Sequence, residues 1–233
     1  MARTASRPLA AGRLTIRSAW LLVGLGFFGG CGCVWLAGNL QAACAAMLTW
    51  VLYVCVYTPL KRVTPLNTAV GAVAGALPIA IGWLAADGPQ QVLAGDISAA
   101  LAVASLGTVL YLWQFPHFMA IAWLYRKQYD LADLKMLTVT DPSGLRAAGQ
   151  SLAAALAMIP VSLAMAVPSG SIRMFLTAAL ASTVYVLVSV NFAFRRDDRS
   201  ARILLFTSLG VLLILMMSAV AFSAPKVLSG SYL

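Results

Sequence analysis

Long apolar runs separated by short polar breaks fill this chain, and seven of the runs are long enough to cross a membrane. Read from their edges they cover 18–38, 40–58, 68–86, 97–113, 149–167, 171–194 and 202–222. About 20 helical residues span the hydrocarbon slab of a bilayer. The runs are continuous rather than alternating, which excludes a closed β-barrel. The pattern therefore predicts an all-α, polytopic membrane helix bundle, with seven transmembrane helices in a single domain over 1–233. The third run is rich in small residues and is the weakest by hydropathy. The fourth, if helical on to Tyr125, reaches about 43 Å, longer than the slab. Pro116 is expected to bend it near one interface, and Pro78 and Pro160 to kink their own helices.

Composition agrees: 61% of residues are hydrophobic and only 10% charged, against about 25% charged in soluble domains. The net charge of +9 could suggest nucleic acid, but its distribution excludes that partner. Arg3, Arg7, Arg13 and Arg17 precede the first run, and Lys61 and Arg62 follow the second. Arg126, Lys127, Lys135 and Arg146 follow the fourth; Arg195, Arg196, Arg199 and Arg202 follow the sixth. The opposite loops hold Arg173, and Lys226 lies in the C-terminal tail. That alternation is the positive-inside rule. It puts the N-terminus in the cytoplasm and the C-terminus outside, and it retains the weak third run. The first run is too long for a signal-peptide core. Cys31, Cys33, Cys44 and Cys55 fall within the first two runs without metal or redox spacing, and read as packing residues.

Chemistry concentrates in two polar clusters on the inner face. Lys61-Arg62, with Tyr57, Thr58, Thr64 and Asn67 around them, suit a phosphate or diphosphate; as bare cations past a helix end they equally suit topology anchors. In the second cluster Trp113, Gln114 and His117 are spaced to share one helix face. Asp130 and Asp133, three apart on a helix, would point the same way, and Mg²⁺ takes one or two carboxylates plus substrate phosphates. A surface lattice with an Arg126–Asp130 pair serves the same residues. His117 is the sole histidine, and a packing role suits it as well as a ligand role. Gly71 and Gly75 read as a step for close helix approach.

The run Tyr57-Thr58-Pro59-Leu60-Lys61-Arg62-Val63-Thr64-Pro65-Leu66-Asn67, followed by Gly71, Gly75-Ala76-Leu77-Pro78 and Gly82-Trp83, resembles one branch of the UbiA-type intramembrane prenyltransferases. That branch is the protohaem IX farnesyltransferases, or haem O synthases. Trp113-Gln114-Phe115-Pro116-His117-Phe118, then Tyr125, Tyr129 and Met136-Leu137, resembles it too, and Ala201-Arg202 is a weaker third match. The resemblance implies nine spans around a lateral cavity open to lipid, in the cytoplasmic (inner) membrane. There the farnesyl group of farnesyl diphosphate passes to a vinyl group of haem b, and water completes haem O for haem A and cytochrome oxidase. Mg²⁺ is the implied cofactor, and a haem A synthase or an oxidase assembly protein the implied partner.

Carried onto these positions, the resemblance implies that Lys61, Arg62, Arg126 and Lys127 grip the diphosphate, with Asn67 among the substrate contacts. It makes Asp130 and Asp133 the catalytic carboxylates and Mg²⁺ ligands. Tyr57, Trp113 and Tyr129 line the path of the allylic cation, and Gln114 and His117 meet the haem. Two departures stand out. Gln128 occupies a place where many relatives carry Asp, and Met1–Leu9 resembles the loop that follows the family's first Asp-rich motif. Without that motif and the two spans before it, charge on the leaving diphosphate lacks half its carboxylate-held metal, so turnover by this sequence alone is expected to be absent or nearly so. Two alternatives stay open: a quinone or aromatic acceptor, and a non-catalytic haem-binding membrane scaffold.

Overall fold

The structure, a computed structural model, describes residues 2–222; Met1 and Lys226 lie outside them. Among the described residues, seven helices are long and apolar enough to cross a membrane. We label them α1 (Ile16–Ala37), α2 (Leu40–Leu60), α3 (Asn67–Ala85), α4 (Ile97–Leu124), α5 (Leu145–Ala166), α6 (Ile172–Arg195) and α7 (Asp198–Ala221). The chain is thus an all-α polytopic membrane bundle, as its run pattern predicts. Pro78, Pro116 and Pro160 each sit inside a continuous helix.

Helices α5 and α7 begin four residues before their apolar runs, and local chemistry accounts for both starts. At α7, the Asp197 carboxylate accepts from the Ser200 N–H at 2.7 Å, completing a capping box that supplies orphan groups of the first turn. Those bonds, the Ser200 backbone first, hold the Asp197 carboxyl below its usual value. At α5, Gly144 takes φ +74°, and a Cβ there would enter the Trp123 ring. A glycine is needed on both counts.

Helices α4, α5, α6 and α7 form the packed core, α4 touching α5 and α7 and α6 lying between those two in the chain of contacts. Its interior combines a few large side chains, Tyr185, Phe192, Met158, Leu204 and Leu215, with many small ones. Helix α5 buries Ala147, Ala148, Ser151, Ala154 and Ala155, while α6 buries Ala178, Ala181, Ser182 and Ser189. Large residues such as Leu180, Leu187 and Phe194 point outward. In lipid, association comes from close packing rather than from expelling water, so small residues belong at helix contacts. The buried serines return their hydroxyls to their own helices, Ser151 to Ala147 O at 2.8 Å and Ser189 to Tyr185 O at 2.8 Å.

The N-terminal three helices are leaner. Helix α3 packs on α4, α2 on α3, and α1 on α2; α1 has no buried residue. Cys33, Cys44 and Cys55 are exposed and all four cysteines are free. One departure from regular helix matters. Residues Leu52–Tyr57 of α2 form a π-helical stretch, with the Thr58 N–H and hydroxyl both directed at Tyr53 O. Pro59 has no N–H to give, and its ring crowds the carbonyl four residues earlier. A wider turn before it relieves that conflict, and such turns recur at functional sites.

Candidate functional site: the inner rim of α2, α3 and α4

The π-helical turn presents two tyrosines on one side. The Tyr53 and Tyr57 rings stand 5.1 Å apart, and Tyr57 is buried. Helix α2 ends just beyond, and the Lys61 Nζ folds back to 4.0 Å from the Tyr57 ring centroid and 5.9 Å from that of Tyr53. An ammonium over aromatic faces is electrostatically favoured. Burial pushes the Lys61 pKa down from its ordinary value. Helix α3 supplies the floor. A Cβ at Gly71 would stand 2.7 Å from the Tyr57 ring, and one at Gly75 would overlap the Gln114 carboxamide. Side chains, not a helix backbone, fill the space that these glycines open, which corrects the close-helix reading of that pair.

The segment after α4 folds onto the segment after α2. The Lys135 N–H donates to Lys61 O at 2.7 Å. Asn67, fully buried, donates its amide to Thr64 O at 2.7 Å and to Lys135 O at 3.2 Å. Its own backbone segment and the loop after α4 are therefore tied by one side chain. Tyr129, Met136 and Ala122 cluster beneath this loop, and the Thr138 hydroxyl donates to Ala122 O at 2.9 Å. Tyr129 lies within electrostatic reach of Tyr57.

The carboxylates are placed otherwise than helical spacing predicts. The short helix Arg126–Asp130 ends at Asp130, and Asp133 turns through φ +51°. The two therefore do not share a helix face. Both are exposed. Asp133 forms an ion pair with Lys135 at 2.7 Å. The Lys135 hydrogen bond, and more weakly the charge of Arg62, hold its carboxyl below the usual value. Arg126 pairs with Asp198 at 2.8 Å rather than with Asp130, gives Trp123 O a bond of 2.6 Å and stacks at 4.4 Å over the Trp123 ring. Lys127 is exposed on the same short helix.

The α4 motif splits between two faces, which corrects the single face that its spacing predicts. Trp113 and His117 stack, with ring centroids 4.6 Å apart, and turn toward α7. There Trp113 Nε1 donates to Ser208 O at 2.6 Å, and His117 Nδ1 meets the Ser208 hydroxyl at 2.7 Å. The Tyr185 hydroxyl donates to Trp113 O at 2.7 Å. Gln114 turns the other way, its amide donating to Ala72 O of α3 and Leu110 O of its own helix, each at 3.0 Å. The inner rim thus gathers Tyr57, Lys61, Arg62, Asn67, Gln114, Tyr129 and Asp133, but sends Trp113, His117 and Arg126 to α7.

Three contributors escape a reading by residue type. Tyr53 lies one turn before Tyr57 and shares its face; Lys135 reads as one more topology cation; Thr68 looks like an ordinary helix residue. Only the i, i+4 tyrosine spacing could have found the first.

A cavity of about 120 Å³ lies between α2, α3 and α4, lined by Tyr53, Tyr57, Thr68, Gln114 and Phe118 over small α3 residues. A larger apolar cavity of about 320 Å³ runs between α3 and α4 from Val73 and Tyr111 toward Ala80 and Val103. No group of three or more histidine, cysteine or acidic side chains able to hold a metal occurs among the described residues. With Asp133 already engaged by Lys135, the described residues do not build a complete metal site by themselves. Its carboxylates suit Mg²⁺ only when diphosphate oxygens and water supply most of the shell.

The profile of the UbiA prenyltransferase family matches residues 1–223. The chain is 40% identical to "Protoheme IX farnesyltransferase" of Rhodopirellula baltica, over 91% of this chain and 74% of that protein. It is 40% identical to the protein of the same name from Solibacter usitatus, over 89% of this chain and 68% of the relative. The human "Protoheme IX farnesyltransferase, mitochondrial" is 34% identical over 97% of this chain, which spans about half (49%) of that protein. No solved structure matches the chain significantly. The helical bundle, the inner-rim cluster and these matches agree: the chain belongs to the UbiA prenyltransferase family.

Proposed function

We propose that this protein transfers the farnesyl group of farnesyl diphosphate to the vinyl group of haem b, forming haem O, at the cytoplasmic face of the cytoplasmic (inner) membrane. The observation that carries the reading is the backbone tie between Lys135 and Lys61. It brings cations and a carboxylate from two inner segments to one rim, beside aromatic faces and above apolar cavities. The relatives' shared name supplies the substrates.

In this reading Lys61 and Arg62 hold the diphosphate, with Lys127 and the remaining donors of Arg126 closing from the second segment. Charge-assisted hydrogen bonds strengthen as the leaving group gains charge, so these cations favour bond cleavage over substrate binding. Mg²⁺, arriving with the diphosphate and met by Asp130 and Asp133, would neutralise part of that charge. The faces of Tyr57, Tyr53 and Tyr129 stabilise an allylic cation at the mouth of the pocket. The apolar cavity between α3 and α4 takes the isoprenoid tail and keeps bulk water away. Gln114 faces the small cavity between α2, α3 and α4; His117 supports the α4–α7 contact.

The test uses the natural protein isolated from its own membranes. Given farnesyl diphosphate, Mg²⁺ and haem b, it should yield haem O by mass spectrometry, and give no prenylated product from a quinone or aromatic acid. A prenylated quinone or aromatic acid in place of haem O would overturn the reading.

A further inference from the structure

The small cavity at the inner rim holds one side chain that the reaction scheme leaves without a task. Thr68 is 5% exposed and lines the cavity, yet its Oγ1 has no hydrogen-bond partner on the protein. Among the described residues the other buried serine and threonine hydroxyls are all hydrogen-bonded, although Asn67 Oδ1, Trp83 Nε1, Trp123 Nε1 and Gln128 Oε1 are also without a partner. Ser151, Ser182 and Ser189, buried on other helices, all return their hydroxyls to a carbonyl one turn back. Thr68 cannot readily do so, because Asn67 already occupies the Thr64 carbonyl. A buried hydroxyl without a partner loses its hydration with nothing in return. Its persistence calls for a partner within the cavity.

Gln114 faces the same space. Its amide nitrogen is spent on two carbonyls, so its carboxamide oxygen points away from them, over Gly75. The cavity therefore offers the Thr68 hydroxyl and the Gln114 amide oxygen within walls that also include the phenols of Tyr53 and Tyr57. Its volume of about 120 Å³ leaves room for several waters. Tyr53 and Tyr57, which line it, also carry the Lys61 ammonium. It thus adjoins the place where the diphosphate departs.

We propose that Thr68 and Gln114 position the water that becomes the hydroxyl of the product, an assignment that rests on the haem-farnesylation reading above. Departure of diphosphate leaves an allylic cation. The vinyl π pair then forms the new carbon–carbon bond, and the positive charge moves to the vinyl carbon attached to the porphyrin ring. A lone pair of the held water closes the carbon–oxygen bond there, and its proton passes to the departed diphosphate. Lacking that water, the same carbon sheds its charge by losing a proton from the adjacent carbon. The product is then an alkene lighter by one water. Thr68 and Gln114 are positioning residues: they select between two ends of one reaction rather than start it.

The experiment pairs product analysis with direct imaging, on the natural protein in nanodiscs. With water-¹⁸O the wild type should give labelled haem O. Thr68→Val, which removes only the hydroxyl, should raise the ratio of dehydrated to hydroxylated product about tenfold, the worth of one lost hydrogen bond. Thr68→Ser should restore it. A high-resolution cryo-electron map should show a water within hydrogen-bonding distance of Thr68 Oγ1, absent in Thr68→Val. An unchanged product ratio in Thr68→Val overturns the assignment, as does a lipid tail or isoprenoid in the cavity in place of water. If the map shows the water but neither protein makes any farnesylated haem, the proposed reaction falls while the water site stands.

Discussion

The backbone N–H of Lys135 donates to the carbonyl of Lys61 across 2.7 Å, joining two segments 74 residues apart in the chain. Asn67 reinforces the joint by donating to Lys135 O and Thr64 O. The inner rim is therefore a built junction rather than two loops that happen to lie close. Replacing Asn67 with Ala leaves both carbonyls without this donor in a buried place. Stability should fall by about 1–3 kcal/mol, and affinity for a diphosphate should fall with it. Thermal unfolding of the purified protein and titration with a non-ionising farnesyl thiodiphosphate measure the two effects.

Two glycine families should behave in opposite ways. Gly71→Ala and Gly75→Ala push a methyl group into Tyr57 and Gln114, so each should lower both stability and haem O formation. Gly29 in α1 has open space around a Cβ. Its change to Ala should leave activity as it is and, if anything, stabilise the helix by up to about 1 kcal/mol. Parallel melting curves and product assays separate the cases.

His117 is held by the Ser208 hydroxyl and by stacking on Trp113, within the α4–α7 contact. Ser208→Ala removes one hydrogen bond worth about 1 kcal/mol, and His117→Ala removes the stack as well. Both should lower the melting temperature while leaving thiodiphosphate affinity as in the wild type. A selective loss of donor binding in either variant would contradict this placement.

The lowered pKa of Lys61, caused by burial, gives a pH dependence. Deprotonation of Lys61 begins at lower pH than for an ordinary lysine, so donor affinity should start to fall earlier on the alkaline side. Bound diphosphate opposes that shift by favouring the charged form. In the free protein the sign for stability is the reverse: burial disfavours the charged ammonium, so its cost is present at neutral pH and is relieved as pH rises through the lowered pKa. Titrations of thiodiphosphate at stepped pH, with Lys61→Arg as the permanently charged control, test both directions.

Much of the fold is legible in the residues themselves. Seven apolar runs and the alternation of basic loops specify seven helices, because the bilayer fixes span length and leaves few ways to satisfy the backbone. The segments that carry the two clusters do meet, but at Lys61 and Lys135, the second of which reads in the sequence only as a topology cation. Their inner wiring is less legible. Trp113 and His117 look bound for the same neighbour as Gln114, since three and four residues are both helical neighbours. They diverge because Ser208 of α7 draws one pair while Ala72 of α3 draws the other. Their spacing predicts Asp130 and Asp133 on one helix face, but the helix ends at Asp130 and Lys135 claims Asp133. Such choices depend on partners distant in the chain, which spacing alone does not encode. Gly71 and Gly75 show the same limit: small residues announce close approach without saying what approaches.

The central claim is that cations and carboxylates from the segments after α2 and α4 grip one diphosphate. Titrating farnesyl thiodiphosphate into the nanodisc-embedded natural protein, with and without Mg²⁺, tests it most directly. The account predicts Mg²⁺-assisted binding that weakens at least about tenfold in Lys61→Ala, the loss of one charge-assisted contact, and loses its Mg²⁺ dependence in Asp130→Asn. Equal affinity in the wild type and both variants would contradict it.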